Sequence, residues 1–193
     1  MIMKKRLIVG VSGASGAPLA LTLMEMLRET EGWESHLIVT DAAKITLQKE
    51  CGAKCPDAYS YLCSLADVVY DCENIGAAAA SGSFQTEGMA VVPCSMKTLA
   101  GIANGYAADL LLRAADVTLK ERRRLVLVTR ETPLSLIHLR NMTAVTEAGA
   151  IVMPPVAGWY HGAGTLEEMQ RQFCGRVLAQ FGISVPGLFE WGG

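Results

Sequence analysis

The feature that most constrains this chain is a set of short, nearly uninterrupted apolar runs, each closed by turn residues and followed by a longer stretch with helical periodicity. The runs are 6–11 (RLIVGV), 35–40 (SHLIVT), 88–93 (GMAVVP), 124–129 (RLVLVT) and 150–153 (AIVM), with a weaker one near 68–71. Helical patterns fill 17–30, 41–51, 57–66, 95–121 with a break at Asn104-Gly105, and 135–148. A last helix over 165–182 opens on Thr165 and Glu168, the spacing of a capping box. A strand that is apolar along its whole length is covered on both faces, and such strands alternating with helices make a parallel sheet. The expected fold class is α/β, a doubly wound parallel sheet in a flavodoxin-like or Rossmann-like three-layer sandwich. At 193 residues the chain has the length of one domain, and 1–193 reads as a single unit around one core.

Composition excludes some classes of function. The net charge of −2 provides no electrostatic footprint for nucleic acid or an anionic membrane. The one dense basic run, Lys120, Arg122, Arg123 and Arg124, reads first as a solvated helix end, where cations suit the carbonyl dipole. Six cysteines (Cys51, Cys55, Cys63, Cys72, Cys94, Cys174) contain no C-x-x-C, and His36, His138 and His161 are scattered, so free thiols are expected and no metal site. The first residues carry three cations before an uncharged run, but glycines, hydroxyls and a proline dilute that run below a membrane-spanning or signal segment. A cytoplasmic protein is the expectation. Half the residues are apolar and 19% are charged, which leaves apolar surface for a symmetric oligomer or reflects a well-filled core.

In sheets of this class ligands lie outside the carboxyl ends of the strands. Four segments fall there: Ser12 to Gly16, Thr40 with Asp41, Cys94 to Lys97, and Arg130 with Glu131. "GVSGASGAP" is neither G-x-G-x-x-G nor a Walker loop, which argues against NAD or ATP. It remains a Gly-rich turn with the hydroxyls of Ser12 and Ser15 at a helix N-terminus, where free N–H groups suit a phosphate, or else a plain tight turn. "PCSMKT" repeats that logic after a later strand, with Pro93 ending the strand and Ser95 placed to cap the helix. Cys94 has no histidine near it in sequence, so it reads as a packing or ligand-contact thiol. In "LVLVTRETPLS" a buried strand runs straight into Arg130 and Glu131, and burying that pair is costly unless each has a partner. Arg113 and Lys120 are seven apart and share a helix face; with Arg130, Tyr160 and Arg176 they are candidates for a second phosphate, solvated cations being the alternative for each. No carboxylate pair is spaced to hold magnesium on a diphosphate.

Taken in order, "VSGASGA", "SGSF", "PCSMKTLAGIANGYAADLLLRAADVTLKERR", "LVLVTRETPLS" with "HLRNM", "MPPVAGWYH" and "LFEWGG" resemble the UbiX-type flavin prenyltransferases, including small B subunits of phenolic-acid decarboxylase systems. The resemblance runs along nearly the whole chain. It implies an FMN-binding domain completed by the C-terminal helix and tail, assembled from trimers into a dodecamer. It implies metal-free transfer of a dimethylallyl group from dimethylallyl phosphate to N5 and C6 of reduced FMN, with prenylated FMN passed to a UbiD-type decarboxylase. By position, the resemblance places FMN on Gly13, Ala14, Ser15, Thr40, Cys94, Ser95, Met96, Lys97 and Arg130. The resemblance further implies that Tyr160 and Arg176 bind the prenyl phosphate with Lys120 and Arg113 assisting, that Glu131 and Glu50 are the catalytic carboxylates, that Ser15 relays or orients protons or simply contacts the flavin, and that Trp191 is an aromatic wall.

Three departures from the family pattern stand out: Thr40 where many relatives have Ser, Arg124 in place of a usual proline, and four cysteines in 51–72 before a tail that stops two residues past Trp191. Two rival functions follow from the same fold. A flavin-dependent cysteine decarboxylase uses a histidine in the first half of the chain, and the only one here, His36, falls inside a predicted strand. A non-catalytic FMN carrier has no use for a second cluster of cations.

Overall fold

The computed structural model describes residues 4–189 and residue 192, and the apolar runs form one six-stranded sheet. Its strands are β1 (Lys5–Val11), β2 (Trp33–Val39), β3 (Val68–Tyr70), β4 (Gly88–Cys94), β5 (Arg124–Thr129) and β6 (Ile151–Val152). They lie in the order β3-β2-β1-β4-β5-β6, each pair parallel. Of the two doubly wound orders the sequence left open, this is the Rossmann one, and its switch point falls between β1 and β4.

The helices are α1 (Ala17–Arg28), α2 (Asp41–Cys51), α3 (Ala58–Leu65), α4 (Met96–Ala103), α5 (Leu110–Lys120), α6 (Leu136–Glu147) and α7 (Leu166–Ala179). The expected break is real: Asn104 caps α4 and Gly105 takes φ 64, a left-handed conformation that lets the chain turn before α5. Thr165 and Glu168 form the capping box, each side chain bonding the other's backbone N–H.

Side chains alternate between the two faces of each strand, which is why the runs are apolar throughout. Leu7, Val9 and Val11 of β1 join one core with α1, α2, α3 and α7, while Ile8 faces α4, α5 and α6 on the other side. On β4, Ala90 and Val92 take the first face, and Met89, Val91 and Cys94 the second. Each fully buried Leu or Val contributes roughly 1.5–3 kcal/mol. β4 departs from expectation at its end. It continues through Pro93 to Cys94, with a register shift against β5 between Val91 and Cys94 that accommodates a residue lacking an N–H.

After β6 the chain returns across the carboxyl ends of the strands and packs α7 beside α1. This crossing brings Pro155, Val156 and Ala157 beside Ser15, Gly16 and Glu50, at the ends of the strands where ligands bind in such sheets.

Candidate active site

Because all six strands run the same way, the N-termini of α1, α2, α4 and α6 gather at one edge of the sheet. Ser12, 1% exposed, ties two of these turns together: its hydroxyl donates to the Pro93 carbonyl at 2.9 Å and accepts the Ser95 N–H at 2.8 Å. The Ser12 hydroxyl is thereby committed to stapling the β1 and β4 turns across the switch point. Gly13 presses on α2, since a Cβ there would stand 2.4 Å from the Ala42 Cβ. Thr40 and Ser95 act as N-caps, accepting the N–H groups of Ala43 at 3.3 Å and Thr98 at 3.2 Å. The hydroxyl of half-buried Ser15 has no hydrogen-bond partner among the described residues.

The α1 terminus is not an open anion site as its sequence suggests. Its first N–H groups, from Gly16 and Ala17, donate to one Glu50 oxygen at 2.9 and 2.8 Å. The helix dipole favours a negative charge there, and the carboxylate comes from the last turn of α2. Glu50 and Ser15 consequently line one cavity with Gly16, Pro18 and Leu19.

The Cys94 thiol takes the packing half of its expected role. It is fully buried against the second core, and burial pushes its pKa far up, so neither nucleophile nor direct ligand contact suits it. Met96 is half-buried and Lys97 exposed at the start of α4.

Arg130 and Glu131 are exposed, so the burial cost anticipated for them does not arise in the single chain. The Arg130 N–H bonds the Cys94 carbonyl at 3.2 Å, holding the residue beside the β4 turn. Among the described residues its guanidinium has no carboxylate partner. Glu131 accepts the Thr132 N–H at 3.0 Å. Below them the Thr129 hydroxyl is buried without a hydrogen-bond partner.

Tyr160 and Arg176 do come together, the guanidinium meeting the phenol oxygen at 3.4 Å. They stand on a second cavity of about 380 Å³ whose lining is otherwise largely apolar. Val156, Met169 and Phe173 line both this cavity and the one holding Ser15 and Glu50, so a shared apolar wall joins them. Sequence inspection missed these three residues. The available signal was the spacing 169, 173, 176 on α7, which puts Met169 and Phe173 on the same helix face as Arg176.

Arg113 and Lys120 share a face of α5 as expected, but they do not converge with Tyr160 and Arg176 within one chain. Their helix covers the opposite side of the sheet from α7. Arg113 bonds the Ala80 carbonyl at 3.2 Å and Asp116 at 2.6 Å, and Lys120 bonds Glu121. Arg123 is no solvated helix end: it donates to the carbonyls of Gly82 and Phe84, both at 2.7 Å, and fixes the "SGSF" loop. Arg124, the departure at the start of β5, donates to the Gln180 carbonyl just beyond α7, a contact proline cannot make. Trp191 lies outside the described residues. Among the described residues no group of three or more His, Cys, Asp or Glu is placed to hold a metal ion, and no helix is long and apolar enough to cross a membrane.

His36 is 3% exposed, with Nε2 2.7 Å from Glu34 and Nδ1 2.9 Å from the Tyr70 hydroxyl. Both nitrogens are engaged in a structural network, which removes it as the histidine a cysteine decarboxylase requires. All six cysteines are free.

A model of the Flavoprotein family matches residues 1–171. The flavin prenyltransferase UbiX of Escherichia coli strain K12 is 50% identical over 182 residues, which is 94% of this chain and 94% of that protein. The chain belongs to the UbiX flavin prenyltransferase family. Solved UbiX-family structures agree in fold. AnUbiX (PadA1), in complex with FMN and dimethylallyl pyrophosphate, matches with a TM-score of 0.93 at 45% identity over 98% of each chain. A dodecameric FMN-dependent UbiX-like decarboxylase from E. coli O157:H7 matches at 0.92 and 46% identity, covering 97% of this chain and 100% of that one.

Proposed function

We propose that this UbiX-family chain is a flavin prenyltransferase that joins the dimethylallyl group of dimethylallyl phosphate to reduced FMN without a metal. The observation carrying this reading is the pairing of Arg176 with Tyr160 over an apolar cavity that shares a wall with the Ser15 and Glu50 cavity at the mouth of the sheet. A carrier of flavin alone has no use for an anion-binding pair above an apolar cavity.

A phosphorylated flavin fits the residues at the mouth. The unengaged Ser15 hydroxyl and the Arg130 guanidinium, which has no carboxylate partner among the described residues, are donors available to it. Gly13, Ala14, Thr40 and the 95–97 turn complete that site in this proposal. When bound in its reduced form, FMN supplies the nucleophilic N5 and C6 positions that accept the five-carbon group.

The chain's own groups handle the donor. As its carbon–oxygen bond breaks, the electron pair leaves with phosphate, and Arg176 and Tyr160 hydrogen-bond that departing anion. Charge-assisted bonds of this kind contribute roughly 1.5–3 kcal/mol each. The carbon fragment is cationic in that step, and the Tyr160 face and the Phe173 wall offer it π electrons in place of water. Glu50, held by two backbone N–H groups, and Glu131 are the carboxylates proposed to move protons, with Ser15 beside Glu50 to orient them. Trp191 is assigned by resemblance alone.

Arg113 and Lys120, which face away from this cavity in one chain, are proposed to reach the donor phosphate of a neighbouring copy. Leu136, Ile137 and Leu139 on α6 are 60%, 68% and 46% exposed, an apolar face suited to a homo-oligomer, with a dodecamer as the proposed form. Residues 1–193 then act as a single cytoplasmic FMN-binding unit, and a UbiD-type decarboxylase receives the product.

The test is to mix the protein with FMN and dimethylallyl phosphate, reduce anaerobically, and weigh the extracted flavin. A gain of one C5H8 unit is expected. Unmodified FMN, with binding intact and the diphosphate also tried, overturns the reading in favour of a flavin carrier.

A further inference from the structure

Tyr160 meets Arg176 from residues 154–164, a segment with neither helix nor strand. Local contacts give that segment a turn, in which the Gly162 N–H bonds the Trp159 carbonyl at 3.3 Å, and an edge-to-face ring neighbour for Tyr160, His161 at 5.6 Å. A second ring contact comes from far along the chain. The Phe189 ring lies 5.3 Å from that of Tyr160 at an interplanar angle of 53°, within the range that aromatic pairs favour. Phe189 is 42% exposed, so burial alone does not hold it in place. Two contacts with α7 do. The Phe189 N–H donates to the Gln172 Oε1 at 3.0 Å. The preceding side chain, Leu188, fills the space over Gly175, where a Cβ would stand 1.9 Å from the Leu188 Cδ1. Gly187, with φ 79 in the left-handed region, makes the turn just before them. Gln172, Gly175 and Arg176 stand at i, i+3 and i+4 of α7 and so share one helix face. That face grips Tyr160 twice, through Arg176 at its hydroxyl and through Phe189 at its ring.

We propose that Phe189, pinned to α7 by Gln172 and by Leu188 over Gly175, is the positioning residue that aims the Tyr160 hydroxyl at the donor phosphate. This rests on the prenyl phosphate reading of Tyr160 and Arg176. A tyrosine on an irregular segment has rotamer freedom to lose when the anion arrives, and a fixed ring beside it removes that cost beforehand. An aromatic pair of this kind corresponds to a binding difference of roughly 2- to 10-fold. Phe189 acts through Tyr160 and is assigned no contact with the anion. Its effect therefore depends on the Tyr160 hydroxyl being present.

The experiment is a double-mutant cycle read by calorimetric binding of dimethylallyl phosphate to the protein loaded with oxidised FMN, a state without turnover. Phe189→Ala is expected to weaken donor binding by roughly 2- to 10-fold. Phe189→Tyr, which keeps the ring, should bind as wild type does. Gln172→Ala frees the Phe189 N–H without removing a ring, and should weaken binding in the same direction. FMN affinity by flavin fluorescence and circular dichroism should match wild type in all three. In the Tyr160→Phe background, Phe189→Ala should cause no further loss. Equal fold losses in the two backgrounds, or no loss in either Phe189→Ala or Gln172→Ala, overturn the positioning role while leaving the donor reading in place. A Tyr160→Phe protein with wild-type donor affinity also overturns it. Failure of wild type to bind the phosphate overturns the donor reading, and the positioning role with it.

Discussion

The Glu50 carboxylate takes the backbone N–H of Gly16 at 2.9 Å, bringing the end of α2 onto the start of α1 beside Ser15. One oxygen accepts both this bond and the one from Ala17. The other oxygen remains for a proton or a ligand. Glu50→Gln keeps an acceptor for the amides and removes the charge. It should leave FMN bound while lowering flavin prenylation by about 10²–10⁴-fold, the usual range for loss of a general acid or base. Single-turnover mass spectrometry of the extracted flavin checks this, and near-wild-type turnover refutes the role.

Arg176→Ala removes the charged half of the pair with Tyr160. Losing charge-assisted bonds worth roughly 1.5–3 kcal/mol should weaken donor binding by about 10–100-fold, with FMN affinity unchanged. Calorimetry on the donor and flavin fluorescence on the cofactor separate the two. A loss confined to FMN would place Arg176 in the other site.

Arg123→Ala should destabilise the fold more than its position in a basic run suggests. Two carbonyl acceptors, on Gly82 and Phe84, lose a charged donor, at a cost of about 1–3 kcal/mol. A lower urea midpoint with an unchanged slope is expected, whereas Arg122→Ala, at an exposed position with φ 58, should shift it less. Equal midpoints for the two variants would contradict the clamp.

The His36 network sets a pH dependence of stability. Burial, the largest influence, lowers the His36 pKa below its ordinary 6.5, although hydrogen bonding to Glu34 opposes the shift. In the neutral ring, Nε2–H donates to Glu34 and Nδ1 accepts from the Tyr70 hydroxyl. Between the lowered value and 6.5 the unfolded chain binds more protons than the folded one, so stability rises with pH through that window. It is fully present above 6.5 and declines as pH falls below it. Glu34 and Asp67 act in a lower range. Burial alone raises each, but bonds from His36 and Arg6 hold Glu34 below 4.5, and bonds from Ser35 hold Asp67 below 3.8. Urea midpoints should therefore drop between pH 7 and pH 5.5 in wild type and drop less in His36→Gln; parallel curves would show that His36 is not the titrating group.

Much of this protein follows from local sequence. Apolar runs covered on both faces dictate parallel strands, Asn104-Gly105 dictates a break, and Thr165 with Glu168 dictates a helix start, because each depends on chemistry within a few residues. The turns at the strand ends, with Ser15, Thr40, Ser95 and Arg130, followed from that topology. What only the tertiary structure decided are the partners of each polar group. Ser12 is spent on Pro93 and Ser95, Glu50 on the α1 amides, and Arg113 and Arg123 on carbonyls of the 80–84 loop, all across separations of more than 30 residues. Such pairings depend on which face of the sheet a crossover covers. For that reason cations that share one helix face in the sequence, Arg113 and Lys120, stand on the other side of the sheet from Arg176.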